Sequence, residues 1–186
     1  MLEQQLRAAL VIPVVTVDRA DDAIPLAQAL CDAGLTLIEI ALRSEAALGA
    51  IRAIVQAAVP ITVAAGTVRT PNDLRAASSA GATLLISPGA TPALIEAARI
   101  AQLPWLPGAS TPSEVMALAD AGHAVQKLFP ASLALIDALA GPFPDVRFVP
   151  TGGIDANNLR DVLTRPNVIA AAGSWIAPRE LIRSHA

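Results

Sequence analysis

Tyrosine is absent from this 186-residue chain, cysteine occurs once, histidine twice, and aromatic residues make up only 3% of it. Each shortage closes a route. A lone Cys31 excludes an intramolecular disulfide and a metal site built from cysteines. His123 follows a helical segment and His185 stands beside the C-terminus, too far apart in sequence to suggest the histidine cluster of a zinc enzyme. No metal is therefore expected, and His123 reads as a plain surface residue. With few aromatics the core must be made of Ala, Leu, Ile and Val, which suits closely packed barrel strands better than an aromatic-rich sandwich. No apolar run approaches the roughly 18 residues of a membrane span. The first residues, MLEQQLRAAL, lack the basic, apolar and cleavage segments of an export signal. A net charge of −3 gives no general attraction to nucleic acid or to an anionic membrane. The expectation is a cytoplasmic protein with neither nucleic acid nor membrane as partner.

Lysine is the scarcity that matters most. Of 13 cationic side chains only Lys127 is a lysine, and the rest are arginines. A GC-rich genome would replace lysine by arginine wherever only charge is wanted. Arginine cannot serve as a neutral amine nucleophile, so a lysine that survives such replacement invites a chemical reason.

What is present is a repeat of short apolar strands and amphipathic helices. Strands are predicted at residues 11–17, 36–42, 61–66, 83–87, 104–106, 125–129, 147–150 and 168–172. Helices are predicted between them at 21–33, 45–57, 71–80, 92–101, 112–121, 133–140 and 157–164, with a further one at 3–10 beneath the sheet. Gly34, Gly81, Gly122 and Gly141 stand where helix C-caps belong. Repeated strand–helix units imply a parallel sheet, and eight strands imply closure into a (β/α)8 TIM barrel, one domain over residues 1–186. The turn after the first strand, VDRADD, lacks the glycines of an open dinucleotide-binding sheet. The last helix is short or missing, leaving only residues 176–182 to cover the flank between the eighth and first strands.

Barrel sites gather at the carboxyl ends of strands. In LTLIEIALR the alternation sets Leu37, Glu39, Ala41 and Arg43 on one face and Ile38, Ile40 and Leu42 on the other. The apolar set must face the helices, so Glu39 and Arg43 are expected to point inward. Lys127 shares its parity with Val125 and Phe129 and is expected inside as well. An inward acid is costly unless partnered, and a Glu39–Arg43 or Glu39–Lys127 ion pair serving stability alone is the plain alternative. Burial among Leu128, Phe129 and Pro130, with Arg43 near, would favour the neutral amine that attacks carbonyls, with Glu39 moving protons. Thr67, Pro88, Gly108 with Ser110 and Thr111, Thr151-Gly152-Gly153 and Gly173-Ser174 lie on the same rim, the last two groups where barrels commonly bind phosphate.

The motifs IPV, EIALR, AAGTV, ISPGAT, PGAST, KLFPAS, GPF, VPTGGI and AGSW, in this order from Val11 to Trp175, resemble those of the 2-keto-3-deoxy-6-phosphogluconate aldolase family, which includes enzymes that also cleave 4-hydroxy-2-oxoglutarate. The resemblance implies a trimeric (β/α)8 class I aldolase without metal or other cofactor. Its small-molecule substrate is a 2-keto acid, split to pyruvate and glyceraldehyde 3-phosphate. It places the Schiff-base lysine on Lys127, the general acid–base on Glu39 and the carboxylate-binding arginine on Arg43. Thr67 and Pro88 line the pyruvate pocket in this reading, and Phe129 packs beside the lysine. Thr151 selects hydroxyl stereochemistry, and Gly152, Gly153, Gly173 and Ser174 surround the phosphate. Glu45, in LRSE, opens the next helix and is not the catalytic acid. Three departures stand out: Ser132 runs into the next helix without the family's Gly-Gly loop, Ala172 replaces a glycine, and the last helix is reduced. An aldolase for an unphosphorylated 2-keto acid, a barrel isomerase or synthase without a Schiff base, and a non-catalytic scaffold are the alternatives.

Overall fold

The computed structural model describes residues 2–183, so His185 lies outside the described residues. The chain opens with helix α1 (Leu2–Ala9), whose Leu6 is fully buried. Strand β1 (Val11–Val15) follows at once, so α1 sits at the amino end of the sheet, as the sequence suggested. Alternation then runs through α2 (Ala23–Asp32), β2 (Leu37–Ala41), α3 (Ala47–Gln56), β3 (Thr62–Gly66), α4 (Pro71–Ser79), β4 (Leu84–Ile86) and α5 (Pro92–Ala101). The second half holds β5 (Trp105–Leu106), β6 (Gly108–Ala109), α6 (Pro112–Asp120), β7 (Val125–Leu128), α7 (Leu133–Ala140), β8 (Arg147–Pro150), α8 (Leu159–Leu163), β9 (Ala171–Gly173) and α9 (Arg179–Arg183). Among the described residues no helix is long and apolar enough to cross a membrane.

All strand pairs are parallel. One sheet has the order β5-β4-β3-β2-β1-β9 and the other β6-β7-β8. The fifth predicted strand, 104–106, appears as β5, and beyond Pro107, which lacks an N–H to donate, comes a further piece, β6, that the sequence reading did not include. Its carbonyl still accepts from Lys127 N at 2.7 Å. The eighth predicted strand is also shifted: β9 begins at Ala171, while Val168 forms an isolated bridge to Phe148. The sheets curl, and their concave face packs Leu6, Ile12, Val14, Leu37, Ala41, Ala64, Leu84, Leu106 and Val149 into one cluster. The opposite parity, Ile38, Ile40, Val63, Ala65 and Leu85, meets Leu30, Ile51, Ile54, Leu74 and Leu94 of the helices. Each such fully buried leucine or isoleucine contributes about 1.5–3 kcal/mol.

Helix starts follow a repeated local rule. Thr70, Thr91 and Thr111 cap α4, α5 and α6, each accepting from the N–H three residues on, and each is followed by proline at the first helical position. Helix ends are less uniform. Gly34, Gly81 and Gly122 adopt positive φ as expected, but Gly141 does not, having φ −70°. After α5 the left-handed position is taken by Gln102 instead. His123 also departs from the expectation of a plain surface residue. It is half-buried, with its ring edge-on to Trp105 at 5.0 Å, and burial holds its pKa below the ordinary histidine value.

Candidate active site

Lys127 on β7 and Glu39 on β2 come from strands 88 positions apart in sequence, and they meet inside the curl. The Lys127 Nζ donates to Glu39 Oε1 at 3.2 Å, and the two residues are 5% and 1% exposed. The second carboxylate oxygen, Oε2, is buried with no hydrogen-bond partner among the described residues. That is an expensive arrangement for a purely structural pair, because buried polar atoms in folded proteins nearly always find partners. The pair lies in the wall of a cavity of about 180 Å³, lined also by Val14, Arg43, Thr67, Pro88, Phe129 and Thr151. The Lys127 ammonium stands 5.8 Å from the centre of the Phe129 ring.

The inward parity expected of β2 holds for Leu37, Glu39 and Ala41 but not for Arg43. The strand ends at Ala41, and Arg43 N turns back to donate to the Ala41 carbonyl at 2.7 Å. Arg43 is therefore an exposed residue at the cavity mouth, without an ion pair among the described residues, while still lining the space that contains Lys127 and Glu39. Glu45 is exposed and precedes α3, whose first residue is Ala47. Thr67, just past β3, has φ +58°. A β-branched residue rarely adopts that conformation, and backbone strain of about 1–3 kcal/mol is typically retained where a side chain must be aimed.

Gly66 makes the pair possible. A Cβ at Gly66 would lie 2.1 Å from Glu39 Oε1, so the carboxylate occupies the space where a side chain would be. Gly66 stands in the AAGTV motif, but no local pattern says which side chain needs its space. Gly108 is register partner to Lys127, and a Cβ there would lie 2.3 Å from the Pro88 carbonyl carbon. Its neighbours on the expected rim serve otherwise: Ser110 and Thr111 bond to Glu114 and cap α6.

In the glycine corner expected around a phosphate, packing explains why no side chain stands at three positions. A Cβ at Gly152 would meet the Phe129 ring at 2.9 Å, one at Gly153 the Ala131 carbonyl at 2.8 Å, and one at Gly173 the Trp175 indole at 2.6 Å. At each of these positions the chain itself occupies the space that a Cβ would need. Thr151 is 6% exposed and lines the cavity, whereas Ser174 is exposed and lines a neighbouring one. Between Phe129 and α7 the chain passes through a cis Phe129–Pro130 peptide, and Ser132 caps α7 directly, accepting from Leu135 N at 3.2 Å. Ala172 is 2% exposed within the concave cluster. Among the described residues no group of three or more His, Cys, Asp and Glu stands close enough to hold a metal ion.

A parallel α/β sheet with a buried amine and carboxylate facing one cavity at its carboxyl end is equipped for lysine-dependent carbonyl chemistry. The chain belongs to the KDPG and KHG aldolase family, whose profile matches residues 2–186. It is 42% identical over 180 residues to a 2-dehydro-3-deoxy-phosphogluconate aldolase of Pseudomonas aeruginosa, covering 95% of this chain and 82% of that one. With the KHG/KDPG aldolase of Escherichia coli K12 it shares 41% identity over 186 residues, covering 98% and 87%. The structure superposes with a TM-score of 0.96 and 36% identity on a Legionella pneumophila KDPG aldolase holding pyruvate as a covalent carbinolamine intermediate, over 100% of this chain and 92% of that one.

Proposed function

We propose that this protein is a class I aldolase that cleaves 2-keto-3-deoxy-6-phosphogluconate to pyruvate and glyceraldehyde 3-phosphate through a Schiff base on Lys127, and that it also accepts 4-hydroxy-2-oxoglutarate. The observation that carries the reading is the buried Lys127–Glu39 pair in the wall of a small cavity. Glu39 Oε1 is placed to take the proton that the ammonium must lose before attack. The amine then adds to the C2 carbonyl, and the carbinolamine loses water to give an iminium. Glu39 removes the C4 hydroxyl proton as the C3–C4 bond breaks, releasing the aldehyde. The electron pair stays on the enamine, which is protonated at C3 and hydrolysed to pyruvate and free lysine. Arg43 at the mouth offers a planar fork to the carboxylate of the keto acid. Thr67, Pro88 and Phe129 enclose the three-carbon fragment, and Thr151 faces the hydroxyl at the bond that breaks.

The same reading includes a closed barrel and a trimer. Support for closure comes from the bridges Phe148–Val168 and Thr151–Ala172 between the second sheet and the β9 region, and from β5 and β6 reading as one strand broken at Pro107. Support for assembly comes from an apolar cavity of about 380 Å³ between α2 and the α9 region, lined by Leu26, Leu30, Ile176 and Ile182.

Borohydride trapping tests the chemistry. Incubation with pyruvate and borohydride should add one reduced pyruvate to the intact mass, located on Lys127. Lys127→Arg should stay folded and take no label. Full aldolase activity in that variant would end the Schiff-base reading.

A further inference from the structure

Glu39 and Lys127 stand on different sheets, and the two sheets meet between β5 and β6, at Pro107. Trp105 lies just before this seam, buried among the residues that face the helices. Its indole Nε1 donates to Ser87 Oγ at 2.8 Å, and Ser87 is fully buried. Ser87 also donates its backbone N–H to the Leu106 carbonyl at 3.1 Å. The next residue is Pro88, which lines the catalytic cavity and has no N–H with which to hold its own place. Across the seam the Pro88 carbonyl lies so close to Gly108, the register partner of Lys127, that a Cβ there would have no room. The indole also meets the His123 ring edge-on at 5.0 Å, and the His123 carbonyl accepts at 2.9 Å from Nε2 of Gln126, the residue before Lys127.

On the aldolase reading above, we infer that Trp105 is a positioning residue: its bond to Ser87 sets Pro88 in the cavity wall beside the lysine strand, and so tunes how well the site holds the keto acid. Core packing alone would be served by an aliphatic side chain or phenylalanine at 105. A buried indole N–H needs an acceptor and a buried hydroxyl needs a partner, so each member of the pair is costly without the other. The pair fastens the chain where β4 leaves the sheet and enters the active site. Without the tie, Ser87 is free to turn and Pro88 to shift against Gly108. Trp105 does not itself line the cavity, so its action passes through Ser87.

The test measures the pyruvate concentration that gives the half-maximal rate of borohydride labelling at Lys127. Ser87→Ala and Trp105→Phe should each raise it about threefold to tenfold, the worth of one buried hydrogen bond. The double variant should go no further than the larger single one, because the bond can be lost only once. Asn167→Ala removes a comparable buried bond, from Asn167 Nδ2 to the Ile136 carbonyl at 2.9 Å, outside the cavity lining. It should lower the melting temperature and leave the pyruvate concentration at its wild-type value. An unmoved concentration in either single variant overturns the inference, as does an additive double variant. A matching rise in Asn167→Ala also overturns it, since general loosening would then be the cause. An unlabelled wild type overturns the aldolase reading itself, whereas a labelled wild type with unmoved variants overturns only the role of Trp105.

Discussion

Gly66 matters for what it leaves empty. Glu39 can approach Lys127 only because the neighbouring strand has no Cβ at this position, where one would sit 2.1 Å from Oε1 and 2.5 Å from Cγ. Gly66→Ala must therefore push the carboxylate off the lysine or force β2 and β3 away from each other. Driving a methyl into a packed interior costs about 1–3 kcal/mol, and losing a placed acid–base lowers turnover about 10²- to 10⁴-fold. Both losses should appear together in a melting curve and in steady-state turnover of the folded fraction. Wild-type turnover in Gly66→Ala would show that Glu39 does not need the position described. At this scale the sequence was informative about Glu39 and Lys127, because strand parity forces a charged residue either in or out. It was less informative about Arg43, which stands exposed past the end of β2 at Ala41 and yet lines the same cavity.

Helix starts were the most legible elements. The Thr-Pro pairs at 70–71, 91–92 and 111–112 are local signals answered within three residues, so they need no tertiary context. In α6 the cap is reciprocal: Thr111 accepts from Glu114 N, and the Glu114 carboxylate accepts from Ser110 and Thr111. Those donors, chiefly the Ser110 N–H, hold the Glu114 pKa below its ordinary value against the opposing effect of burial. A depressed carboxyl stabilises the fold above its unfolded value, and that stabilisation is lost as pH falls through the folded one. Glu114→Gln mimics the protonated acid. At neutral pH it should lower stability by about 1 kcal/mol, seen as a melting midpoint lower by about 2–4 °C. The two melting curves should converge in acid, below the carboxylate range. A constant gap across pH would mean that the charge has no role in the cap. Helix ends were harder to read, since Gly141 after α7 has a negative φ while Gln102 after α5 takes the left-handed position without being glycine.

At the scale of the whole molecule, an apolar groove lies between α2 and the described part of α9, lined by Leu26, Leu30, Ile176 and Ile182. Such a groove on a protein in water is most simply covered by another subunit, and cyclic closure satisfies it without leaving a free face. Sedimentation equilibrium at micromolar concentration should give a species of three times the chain mass. An active monomer would show that the flank needs no cover, and the trimer would then have to be abandoned.

The sequence by itself determined the order of strands and helices, the caps, and the two charged residues turned toward the inside, because each depends on a period or a neighbour a few residues away. Only the tertiary structure decided the rest. The 3.2 Å meeting of Lys127 with Glu39 joins residues far apart in the chain. The space yielded by Gly66 exists only once β2 and β3 are paired. The approach of Phe129, Ala131 and Trp175 to the glycines at 152, 153 and 173 depends on where separate loops pack. Such features depend on distances between remote segments, which no local pattern of residues encodes.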